Sequence, residues 1–124
     1  MGVSDINLMY SITWSDTSEE SKGYRMPVLI GDPVADAQQL KDTSPLEQAS
    51  RVRRPLLMAY GATDRRVPVE HGKEFRDAVA KTNKDVEFVV YGDEGHGWRK
   101  LETNVDFWTR VEKFLERHLG TDAR

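Results

Sequence analysis

No cysteine occurs in this chain, so disulfides, thiolate nucleophiles and cysteine-held metals are excluded within it. No apolar run approaches the roughly 18 residues a membrane-crossing helix needs. Neither sign of charge dominates: 18 Lys and Arg stand against 21 Asp and Glu, a net charge of −3. That balance leaves no basic stripe for nucleic acid and no polybasic segment for a membrane surface, and neither partner is expected. The opening Met1-Gly2-Val3-Ser4-Asp5-Ile6 has neither the basic nor the apolar region of a signal peptide. Ile6 also stands where N-myristoylation needs Ser or Thr. With no targeting signal, the compartment stays open between cytoplasm and periplasm. What is present fits one small domain or part of a larger one: 124 residues, 38% of them hydrophobic.

Residues 1–43 read as irregular chain with short helices. Periodicity is poor up to residue 31, with one short helix expected over 16–24. Asp32-Pro33 is a helix-start pair, N-cap then N1, leading to about Lys41. Ser44-Pro45-Leu46-Glu47 repeats that grammar as a capping box, for a helix ending near Ser50. From 44 to 120 the pattern becomes a βαβα unit. Pro55 to Gly61 is a continuous apolar run, the mark of a strand buried on both faces. Val67 to Lys81 reads as a helix with Phe75, Ala78 and Val79 inward, and Val86 to Tyr91 as a second strand. Over 102–119, Val105, Trp108, Val111, Leu115 and Leu119 recur at helical steps, flanked by Phe107 and Phe114, and Gly120 stands at C′. Thr121 to Arg124 is expected to be disordered. Two strands joined by a helix imply a parallel crossover, so the fold class is α/β.

In an open parallel sheet, functional groups gather past the carboxyl ends of the strands. Asp64 follows the first strand in Gly61-Ala62-Thr63-Asp64-Arg65-Arg66-Val67-Pro68. His96 follows the second in Gly92-Asp93-Glu94-Gly95-His96-Gly97-Trp98. Adjacent parallel strands end side by side, so the two side chains can meet. A carboxylate beside an imidazole fixes its tautomer and stabilises the imidazolium formed when the ring takes a proton. Taken singly, Asp64 reads as a helix cap and His96 as a loop residue. The pair, acid before histidine, has the chain order of an α/β-hydrolase triad.

The passages 44–68 and 91–98 resemble the end of the catalytic domain of the prolyl oligopeptidase family, and the helix from Asp106 to Leu119 is similar to its closing helix. Acylaminoacyl-peptidase-like and dipeptidyl-peptidase-like members look most alike. The resemblance implies that the chain is the C-terminal portion of an α/β-hydrolase parallel sheet with flanking helices, an incomplete domain. It implies a serine-type peptidase that hydrolyses peptide bonds by acyl transfer, with Asp64 as triad acid and His96 as general base. A peptide is then the substrate, and no cofactor is expected. That family carries its nucleophile in Gly-x-Ser-x-Gly, and no such pattern occurs here; Gly2-Val3-Ser4-Asp5-Ile6 has Ile6 where glycine is required. The expected partner is therefore the missing N-terminal part of the domain, beyond which the family usually carries a β-propeller. On this reading the chain alone is inactive. The competing reading, from a different class, is a standalone non-catalytic α/β binding or assembly module.

Other candidates carry less. Trp98, beside His96, and the loop pair Arg65 and Arg66 could flank a substrate, although solvated arginines are the plainer reading. Asp93, Glu94 and His96 have too unspecific a spacing for a metal site, and none is expected. His71 reads as a solvated helix residue, His118 as a cation favoured by the helix C-terminus, and Trp108 as core. The uncharged run Leu56 to Tyr60 leaves a bare strand edge once upstream strands are absent, so a homo-oligomer through that edge is expected. Light scattering coupled to gel filtration should give a dimer or larger species. A mass that stays monomeric at high concentration, and is unmoved by Met58→Pro, overturns edge pairing.

Overall fold

The computed structural model describes residues 1–120, so the tail 121–124 lies outside the described residues. The central pair of strands follows directly from the two apolar runs. β1 (Leu56–Gly61) and β2 (Val86–Tyr91) are parallel, with Leu56 opposite Val86 and Gly61 opposite Tyr91. α4 (Val69–Ala80) links them, and α5 (Leu101–Leu119) follows β2. Equal registers at the carboxyl ends start the acid and histidine loops from neighbouring points.

The N-terminal region contains α1 (Ile6–Ser11), a π-helical turn at Ser21–Arg25 running into α2 (Met26–Leu29), α3 (Ala37–Thr43) and a 3₁₀ segment at Pro45–Arg51. α1 is more order than the weak periodicity implied; Asp5 caps it by accepting the Asn7 N–H. The expected 16–24 helix begins later and extends further. Pro27 lacks an N–H and crowds the carbonyl four residues back, which favours the wider π turn before it. Lys22, on that turn, is buried and donates to the Ile12 carbonyl and to Glu19. Asp32 caps a turn through the amides of Val34 and Ala35, and the helix proper starts only at Ala37.

The capping box at Ser44 is not formed. Ser44 is fully buried, and its Oγ donates to the Leu40 carbonyl and accepts the Ile6 N–H at 3.1 Å. A tertiary bond to the N-terminal segment replaces the local cap, and the segment winds as 3₁₀. Gly120 closes α5 with extended backbone rather than the left-handed turn expected of a C′ glycine.

The central apolar cluster is small: Met58, Tyr60, Val67 and Val69, with Val3, Leu56, Phe75 and Phe88 packed around it, while Leu40 and Val79 are fully buried outside it. Tyr60 joins its parts. Its ring lies 5.9 Å from that of Phe88, and its hydroxyl donates to the Gly2 carbonyl at 2.8 Å. Ser4 accepts the Leu46 N–H on its carbonyl and donates its hydroxyl to the His71 carbonyl. Residues 2–6 are thereby tied to β1, α4 and the 3₁₀ segment. The apolar stripe of α5 is a correction: Trp108 is 62% exposed, and Val105, Leu115 and Leu119 are exposed with it. Phe107, Val111 and Phe114 are half-buried instead, because two strands make a sheet too narrow to cover a wider stripe.

Gly72 of α4 lies against the Tyr60 ring, where a Cβ would come within 2.5 Å of a ring carbon. Gly72→Ala should therefore cost about 1–3 kcal/mol. The intrinsic helix preference for alanine only partly offsets that cost. A lowered urea midpoint with unchanged slope is the expected result.

Candidate active site

Asp64 has no exposed surface, so its carboxylate must find partners inside the protein. Its Oδ1 accepts the backbone N–H groups of Arg66 at 2.9 Å and Val67 at 2.8 Å. The loop curls around its own acid, as an aspartate followed by a helix start readily does. That leaves Oδ2 free to face the second loop, where Nδ1 of His96 lies 3.0 Å away. An ionised carboxylate only accepts, so Nδ1 carries the proton and donates. Nε2 is then the free ring nitrogen. The His96 side chain is 40% exposed, which leaves it open to a reacting group.

The histidine loop crosses close over the end of β1. A Cβ on Gly61 would come within 2.3 Å of the Glu94 carbonyl, so only glycine allows this approach. Gly97 has φ +115, a conformation L side chains rarely adopt, and it turns the chain away behind His96. Glu94 is 2% exposed, and its carboxylate accepts the N–H groups of Arg99 and Lys100. The Arg99 amide, first among several hydrogen bonds, holds that carboxyl below its usual range. Among the described residues no three His, Asp or Glu side chains cluster so as to hold a metal ion.

The remaining candidates fall apart from the pair. Trp98 is half-buried, edge-on to Tyr91 at 4.9 Å and to Phe107 at 5.7 Å. With Gly97, Met58 and Tyr60 it lines a cavity of about 420 Å³ beside β1; His96 itself does not line it. Arg65 and Arg66 are exposed but engaged: Arg65 donates to the Trp14 carbonyl at 3.2 Å and Arg66 lies 3.5 Å from Asp16. Segment 14–16 thereby braces the acid loop, a contact without a local signal in the sequence. Thr63 and Glu94 also join the site unannounced, one linking the two loops and the other closing the histidine loop on α5. His118 is half-buried, with its ring 4.7 Å from that of Phe114.

A model of the prolyl oligopeptidase family matches residues 1–122. The chain is 33% identical to a dipeptidyl aminopeptidase BIII from Pseudoxanthomonas mexicana over 99% of its own length and 18% of that protein's. It is 30% identical to the acylamino-acid-releasing enzyme of Rattus norvegicus over 68% of its length and 12% of that enzyme's. A solved puromycin-hydrolysing peptidase from Mycobacterium tuberculosis superposes with a TM-score of 0.81 at 27% identity, covering 96% of this chain and 17% of that one. The chain thus spans less than a fifth of the length of these relatives.

His71 is the largest departure from expectation. It is fully buried rather than solvated. Its Nδ1 accepts the Ser4 N–H at 3.3 Å, and its Nε2 has no protein partner. Burial pushes its pKa below the ordinary value of about 6.5, against the opposing pull of Asp5 and Glu70. The unfolded ring therefore binds a proton at a pH where the folded ring does not. Its contribution to stability is complete above about pH 6.5 and is lost as the pH falls toward the lower folded value. Urea midpoints should accordingly fall between about pH 7 and 5.5, and His71→Gln should flatten that slope.

Proposed function

This chain belongs to the prolyl oligopeptidase family, and from that premise we propose that it is the acid- and histidine-bearing C-terminal part of a serine peptidase's α/β-hydrolase domain. Asp64 is the triad acid and His96 the general base. The observation that carries this reading is the 3.0 Å contact between Nδ1 of an accessible His96 and the wholly buried Asp64, from loops after adjacent parallel strands. The order acid then histidine is that of the α/β-hydrolase triad.

The nucleophile is a serine supplied from outside these residues, which contain no Gly-x-Ser-x-Gly. Nε2 of His96 takes the serine proton as the hydroxyl attacks the acyl carbon, and Asp64 stabilises the imidazolium so formed. The ring then gives the proton to the leaving amine, and water repeats the cycle on the acyl-enzyme. The substrate is a peptide, in keeping with relatives named for dipeptide or acylamino-acid release. Trp98, two residues after His96 on the histidine loop and packed edge-on against Tyr91 and Phe107, flanks the substrate. Arg65 and Arg66 hold the acid loop against segment 14–16.

The chain alone should take up no fluorophosphonate probe and hydrolyse no chromogenic acyl-peptide or dipeptide ester. Stoichiometric labelling of a serine within it would refute the assignment. In the full-length gene product, labelling should fall on an upstream serine. His96→Ala should lower turnover by about 10⁶-fold, and Asp64→Asn by about 10⁴-fold. A genuine start codon with its own promoter immediately before Met1 would favour the binding-module reading instead.

A further inference from the structure

Packing alone does not explain how His96 keeps its place. Its side chain is 40% exposed, and it sits between Gly95 and Gly97, the second of which takes a backbone conformation open to few other residues. Such a loop is free to wander unless it is held at its ends. Glu94 holds both. Its Oε2 accepts the Arg99 N–H at 2.9 Å and its Oε1 the Lys100 N–H at 3.0 Å. Lys100 is the N-cap residue of α5, so one buried side chain closes residues 94–100 into a ring around His96. The main chain of the same residue faces the other loop. Its carbonyl accepts the N–H of Thr63 at 3.1 Å and the Thr63 hydroxyl at 2.9 Å, one residue before Asp64.

We propose that Glu94 is the positioning residue for His96, its carboxylate anchoring the histidine loop to the start of α5 and its carbonyl, clasped by Thr63, locking that loop to the acid loop. This rests on the reading of Asp64 and His96 as acid and base. The arrangement fits the chemical need: the imidazole is aligned without being enclosed. A buried carboxylate serves better than a neutral group because both of its oxygens accept. Charge-assisted bonds to two amides are also shorter and stronger than neutral ones. The amides also keep this carboxyl ionised, since they hold its pKa below the usual range.

The test uses the full-length gene product. Glu94→Gln replaces one amide-facing oxygen by an NH₂ that opposes the N–H it meets. We expect kcat to fall roughly 10- to 100-fold with KM within about twofold, since misplacing a catalytic group costs turnover rather than binding. The low-field proton resonance of His96 Nδ1–H on Asp64 should weaken in parallel. Thr63→Val, which removes only the hydroxyl bond, should move both readouts the same way by less and covers the case in which Glu94→Gln folds poorly. Asp93→Asn, which loses only an exposed partner of Lys100, should move neither. Unchanged kcat and resonance in the folded Glu94→Gln and Thr63→Val proteins overturn the proposal. So does a loss that merely tracks a lowered Tm while the resonance persists. If His96→Ala itself keeps its turnover, the acid–base reading fails separately, and the resonance still decides whether Glu94 positions His96.

Discussion

A carboxylate with no exposed surface is tolerated only where every oxygen finds a donor, because stripping its water otherwise costs several kcal/mol. Asp64 meets that demand with the amides of Arg66 and Val67 on one oxygen and the imidazole of His96 on the other. The neighbouring features follow from this. The loop must curl before Pro68 to present its amides, which sets where α4 begins. The histidine loop must reach across the end of β1, which requires glycine at position 61. Both loops must then be held at that distance, which the Thr63 and Glu94 contacts accomplish.

A two-stranded parallel sheet is a weak foundation for such a site. The N-terminal segment compensates with directed polar contacts rather than apolar mass. Tyr60 grips Gly2, Ser4 grips His71 and Leu46, and Ser44 grips Ile6. These bonds span long stretches of sequence and sit in or beside the core, where an amide or hydroxyl without a partner would be costly. Apolar surface nevertheless remains uncovered, on the α5 stripe and in the cavity beside β1. The relatives named above are more than five times longer than this chain.

Much of this was legible from residue order. The apolar run bounded by Pro and Gly marked β1 to within a residue, and the β-branched and aromatic run ended by Gly92 marked β2, although β2 carries Glu87 and is only half-buried. Helical spacing marked α4 and α5. Asp64 and His96 could be paired because parallel strand direction follows from the βαβ unit, so both loops leave the same sheet end, and the loops are short. Local grammar misled where a distant segment competed for the same group. Ser44 reads as a cap and His71 as a surface residue because neither carries any local trace of Ile6 or Ser4.

The sequence by itself determined the α/β class, the two strands and the acid–histidine pair, since these rest on periodicity and short-range spacing, while the family resemblance rests on the motifs around Asp64 and His96. Only the tertiary structure decided which polar groups would be buried: His71 against Ser4, Lys22 under Ile12, Glu94 against the start of α5. It also decided which side of α5 would stay exposed. The physical reason is that burial and hydrogen-bond satisfaction are settled between segments far apart in the chain, and no window of neighbouring residues records that settlement.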